Sequence, residues 1–199
     1  MRMKGPASAE IAAAAARLIV EEGLEYGPAK RRAARDIGSR NGVDLPGNDE
    51  VEDEVRDYLA LFEAETQPAE LAELRRIAAA WMERLPAFRP HLAGAVWRGT
   101  ATRLSSIHLE LYCDDSKAAE LALIDQRIEY DVSSIDAPRG RTLDVLNVFT
   151  PSVALGGTAH VAMTVLDYDD LRGALRRDAR GRTERGDLAA LRGLASEPA

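Results

Sequence analysis

Three side chains in one short run are placed to act together. In "SSIHLELYC", Ser105 to Cys113, the residues Ser106, His108 and Glu110 alternate with Ile107, Leu109 and Leu111. A period of two puts the first set on one face of a strand and the apolar set on the other. The polar face then offers a hydroxyl, an imidazole and a carboxylate. His108 and Glu110 stand one pleat apart, about 7 Å along the strand. As a pair they suit one borderline cation such as manganese or zinc better than magnesium, which prefers charged oxygen ligands. Asp131 and Asp144, on neighbouring predicted strands, are reserve carboxylates. Just upstream, Gly99 and Thr100 make a small-residue turn where the backbone can approach a phosphate and the hydroxyl can donate to it. Arg98 and Arg103 flank that turn and, taken by themselves, read as ordinary surface charges. His108 and His160 can equally be hydrogen-bonded strand residues with no ligand.

The elements that must carry these residues fall into two textures. The first ninety residues read as helices: Ser8 to Glu22 with Ile11, Ala15, Leu18 and Ile19 on one stripe, then a short basic helix from Ala29 to Ile37. Asn48 caps an acidic helix whose stripe is Val51, Val55, Leu59 and Phe62, and Pro68 opens a helix with Leu71, Leu74, Ile77, Ala78 and Trp81 inward. After Pro86, "GAVWRG", "SIHLELYC", "QRIEYDVSSI", "TLDVLNVFT" and "HVAMTVLDY" read as strands. The run "DDSKAAELALIDQ" between two of them is a capped helix, with Asp115 or Ser116 as the cap, so a crossover and a mixed or parallel sheet follow. Beyond Asp169, "DDLRGALRRDAR" and "GDLAALRGLA" read as two terminal helices. The expected class is α+β, with a helical module over residues 1–68 and an α/β domain with C-terminal helices over 69–199.

Composition narrows the classes further. At 199 residues and a formal net charge of −7, the chain does not coat nucleic acid through a general positive field. The charge is uneven, with basic "AKRRAARDIGSR", acidic "GNDEVEDEVRDYLALFEAE" and a basic "RGALRRDARGRTERGD", so a local phosphate-bearing partner remains open. The basic helix invites a helix-turn-helix reading, but the acidic helix after it would repel nucleic-acid phosphates. No apolar run approaches the roughly 18 residues of a membrane span, and the expected location is the cytoplasm. Cys113, the single cysteine, rules out an internal disulfide and a cysteine-built zinc site, and its apolar setting makes it a structural thiol.

The order helix "LRRIAAAWMERL", strand "HLAGAVWRG", turn "GT", strand "SSIHLEL", helix "KAAELALIDQ", strand "IEYDV" resembles the nucleotidyltransferase superfamily typified by DNA polymerase beta and the minimal bacterial nucleotidyltransferases. The resemblance covers about half the chain, Leu71 to Tyr168, and is one of pattern. It implies a mixed sheet flanked by helices and a nucleotide site at Gly99, Thr100, Arg98, Arg103 and Ser106. In this family a glycine and a serine or glycine precede two acids separated by one apolar residue, and a third acid comes from a later strand. Here Ser106 and His108 stand where the two acids belong, and His160, Ala162 and Thr164 supply none on the later strand. Magnesium or manganese would be required only if the enzyme were active.

Three functions are therefore carried forward. The first is a nucleotidyltransferase-fold protein without the metal-binding carboxylates, acting as a nucleotide- or macromolecule-binding regulator. The second is an active transferase moving a nucleoside monophosphate to a protein, RNA or small alcohol, with His108, Glu110 and Asp131 as substitute ligands. The third is an antitoxin-like or scaffold protein that docks a partner through the acidic helix 48–62.

Overall fold

The computed structural model describes residues 6–38, 44–137 and 140–196. The alanine-rich start forms α1, Pro6–Glu22, and two more helices follow, α2, Tyr26–Asp36, and α3, Asn48–Phe62. Ile11, Ala12, Ala15, Ala16 and Ile19 of α1 close on Ala29 and Ala33 of α2 and on Val51, Val55 and Leu59 of α3. Alanine on that stripe lets the three helices approach closely, and together they bury a core of their own. Gly47, and not Asn48, occupies the cap of α3. The Glu50 carboxylate reaches back to accept the Gly47 N–H at 2.8 Å, while the Asn48 side-chain oxygen accepts from Lys30 Nζ at 2.7 Å.

A second core lies under the sheet. Helix α4, Gln67–Arg84, starts with Pro68 in its first turn and buries Leu74, Ile77, Ala78, Trp81 and Met82. It leads into strand β1, His91–Ala93, helix α5, Gly94–Arg98, and strand β2, Ile107–Tyr112. Helix α6, Ser116–Asp125, is capped by Asp115, which accepts the Lys117 N–H at 2.9 Å. Strands β3, Asp131–Ala137, β4, Arg141–Ser152, and β5, Gly157–Leu166, follow, then β6, Arg185–Gly186, and helix α7, Leu188–Ser196. The strand order is β3-β4-β5-β2-β1-β6. Only β2 and β5 pair in parallel, so the sheet is mixed and the class is α+β. Ile107, Leu109 and Leu111 of β2 and Val161, Met163 and Val165 of β5 pack beneath α4, α6 and α7.

Two expected elements take another form. "GAVWR" is helix α5 and not strand, because Gly94 adopts φ +68° directly after β1 and turns the chain. The helix then buries Val96, and Arg75 donates to the Val96 and Trp97 carbonyls at 3.2 and 3.4 Å. The first expected C-terminal helix is also absent. A single 3-10 turn at Tyr168–Leu171 ends before Gly173 at φ +83°. The Asp178 carboxylate then accepts the backbone N–H of Arg180 at 2.9 Å and of Arg182 at 2.8 Å, folding "DARGR" into a turn. No described helix is long and apolar enough to cross a membrane.

Candidate functional site

Strand register sets which residues share the sheet face turned away from α4. Asp131, Asn147, Ala162, His108 and Ala93 are partners in one row across β3, β4, β5, β2 and β1. Ser106, Glu110, His160 and Thr164 fall on the same face as this row by period two. The alternation read from the sequence therefore fixes the face correctly, and what covers that face decides its chemistry.

The helical module covers part of it. Gly23 ends α1 at φ +68°, and a Cβ there would lie 2.8 Å from the Leu104 carbonyl oxygen, so only glycine permits this approach. The approach brings Glu25 over β2, where its carboxylate oxygen lies 2.9 Å from His108 Nε2. That hydrogen bond, opposed by burial, lowers the Glu25 carboxyl below its ordinary value. Between module and sheet runs a cleft of about 350 Å³, with Leu24, Glu25 and Tyr26 on one wall and Gly94, Ser106 and His108 on the other. Such a volume suits a small molecule.

The opposite end of the cleft is closed by ion pairs. Glu52 of α3, 4% exposed, receives Arg98 Nη2, Arg56 Nη2 at 2.8 Å and Arg182 Nη1 at 2.9 Å. Burial works to raise this carboxyl, but the hydrogen bonds from Arg98 and Arg56 outweigh it and hold it below its ordinary value. Arg180 grips Asp53 through two contacts of 2.7 and 2.9 Å. The acids of α3 are thus matched to the arginines of the C-terminal turn, the two segments whose opposite charges stand out in the sequence.

The residues expected to form a site are distributed as follows. Arg98 lines the cleft but is paired with Glu52, and Ser106 lines it too. Gly99 caps α5 at φ +81°, and a Cβ there would face Arg75 and Leu71, away from β2. The glycine that does face β2 is Gly94, where a Cβ would sit 3.1 Å from His108 Cδ2. Thr100 is buried beside Tyr26, whose phenol is pushed up chiefly by burial. Arg103 is exposed, and its backbone N–H donates to Glu70 at 2.8 Å. Glu110 accepts Arg185 Nη1 at 2.9 Å and the Tyr112 hydroxyl at 2.6 Å. Asp131 is three strands from His108, roughly 14 Å at the usual strand spacing. Asp144 shares the face of Leu146, the helix side of the sheet. The set His108, Glu110 and Asp131 therefore does not converge. Among the described residues, no three His, Cys, Asp or Glu side chains meet in a geometry that could hold a metal ion. Cys113 is half-buried, and burial, then Asp115 and Asp114, push its thiol up, as expected of a structural cysteine.

Sequence reasoning missed Glu25 and Arg185. Their contacts with His108 and Glu110 span 83 and 75 positions, and nothing local marks either residue. A charge excess on "NDEVED" and on "RRDARGRTER" was visible, and its pairing across the cleft was the available signal. No model of a known protein family matches the chain, and no curated protein matches it.

Proposed function

We propose that the chain is a nucleotidyltransferase-like protein whose cleft takes a nucleotide or similar phosphate-bearing small molecule as a regulatory ligand, without two-metal nucleotidyl transfer. One observation carries the reading: both candidate metal-binding side chains of β2 already have partners, His108 in Glu25 and Glu110 in Arg185. Two-metal transfer needs several anionic oxygens free to bridge the ions. A carboxylate already neutralised by a guanidinium supplies none. The cleft remains open, with Tyr26, Ser105 and Ser106 on its walls for a base and for hydroxyl hydrogen bonds to phosphate oxygens.

An active transferase using His108, Glu110 and Asp131 would have to release Glu110 from Arg185 and bring Asp131 across three strands. The antitoxin-like reading has less support, because three acids of α3, Asp49, Glu52 and Asp53, already pair with arginines of the same chain. The test is incubation with each common nucleoside triphosphate and magnesium or manganese, followed by assay for pyrophosphate release. The expected result is no release above the protein-free rate. Metal-dependent release that Glu110→Gln abolishes would overturn the proposal.

A further inference from the structure

We infer that Ser106, His160 and Asn147 form a nucleophile, base and orienting amide at the wall of the cleft, and that this set cleaves small uncharged carboxylic esters. The inference does not depend on the nucleotide reading.

The geometry is a continuous chain. Ser106 Oγ lies 2.9 Å from His160 Nδ1, and His160 Nε2 lies 2.9 Å from Asn147 Oδ1. The orientation of the Asn147 amide is fixed by its other end. Its Nδ2 faces three oxygens, Ser133 Oγ at 2.9 Å, the Val145 carbonyl at 3.1 Å and the Asp131 carbonyl at 3.3 Å. Each is an acceptor or able to accept, so the amide nitrogen belongs there and the amide oxygen must face His160. An oxygen at that position accepts only from an N–H, which places the imidazole proton on Nε2. Nδ1 is then the bare nitrogen, and the Ser106 hydroxyl donates to it. This is the arrangement a general base needs to take the proton of an attacking serine.

The ring is held in place. Phe149 stacks on His160 with centroids 5.1 Å apart and planes inclined by 23°. Burial, then the neighbouring His108, lowers the His160 ring below its ordinary value, which favours the neutral ring a base needs. Ser106 lines the cleft, and its hydroxyl reaches His160 on the neighbouring strand β5. Ser105, the adjacent hydroxyl, is occupied differently, accepting the Thr102 N–H at 3.0 Å. The substrate class follows from the walls. Ile19, Leu24 and Ala93 supply apolar surface on the walls of the cleft, which suits the acyl chain of a small uncharged ester.

The step balances without a metal. Ser106 Oγ bonds to the ester carbonyl carbon as its proton passes to His160 Nδ1, and the bond to the leaving alkoxide breaks as that alkoxide takes the proton. Water then adds to the acyl-serine, giving its proton to Nδ1. Collapse releases the carboxylic acid, and the proton returns to Ser106 Oγ.

The test treats the full chain with an alkyl fluorophosphonate, in which a serine oxygen forms the P–O bond and the P–F bond breaks, followed by intact mass and peptide mapping. The expected result is one adduct per chain, on Ser106, absent in Ser106→Ala and formed about 100-fold more slowly in His160→Gln. Wild-type protein is also expected to release nitrophenolate from p-nitrophenyl acetate faster than Ser106→Ala. No adduct on the wild-type chain, or an adduct on Ser105 or Ser133 instead, overturns the inference whatever the variants do. Equal ester turnover by wild type and Ser106→Ala overturns the substrate class.

Discussion

Glu110 receives Arg185 and the Tyr112 hydroxyl together, so its charge is neutralised inside the protein. Burial first, and then this carboxylate, pushes the Tyr112 phenol well above its ordinary value. Arg185→Met leaves both groups without the cation, and we expect a loss of about 2 kcal/mol in denaturant unfolding, the scale of a charged hydrogen bond. Glu110→Gln keeps an acceptor for both donors and is expected to cost less. An Arg185→Met variant as stable as wild type would show that the pair carries no structural load. Gly94→Ala tests the close approach to His108. A positive φ alone costs an L residue about 1–2 kcal/mol, and the 3.1 Å contact with the His108 ring adds to it. Unfolding midpoints unchanged in that variant would contradict the placement of β2 against α5.

Elements with a full amphipathic period were legible from sequence: α1 and α4 rest on apolar stripes and β2 and β5 on alternation, whereas α3 buries Val51, Val55 and Leu59 of its stripe and leaves Phe62 exposed. Helix α5 was not, because "GAVWR" has the composition of a strand and becomes helical through Gly94 and the arginine donors of α4, which lie some twenty positions away. The arginine-rich segment after Gly173 was read as helix from its propensity, yet its arginines are drawn to the carboxylates of α3. The polar face of β2 was readable residue by residue. Its partners were not, since long-range ion pairs leave no local periodicity. The same logic gives an element-level prediction for α1. Gly23→Ala puts a methyl group into the Leu104 backbone, so the α1–α2 link must lift from the sheet. Hydrogen exchange should rise at residues 24–26 and 104–108 while the α4 amides keep their protection. Unchanged exchange in the link would show that Gly23 is not a docking point.

At the scale of the molecule, the described residues form two apolar cores, one within α1, α2 and α3 and one beneath the sheet, joined by the carboxylate–arginine network of Glu52, Asp53 and Asp178. Glu52 is held below its ordinary value by Arg98 and Arg56 against the effect of burial, Asp53 chiefly by Arg180, and Asp178 chiefly by the Arg182 backbone. Because the folded values are depressed, the stabilisation is present above the ordinary carboxylate range, about pH 4, and is lost as pH falls through the folded values. Calorimetric unfolding is therefore expected to show one transition at pH 7 and two at pH 3, the helical module separating first. A single transition at both values would mean the cores are coupled by more than these charges.

The central claim is a cleft that binds a phosphate-bearing ligand without gathering divalent ions, and titration calorimetry with the common nucleoside triphosphates, in chelator and again in excess magnesium, tests it most directly. The account predicts saturable binding of at least one triphosphate in chelator, with an affinity that magnesium does not raise. No binding in either condition, or binding that appears only when magnesium is added, would contradict it.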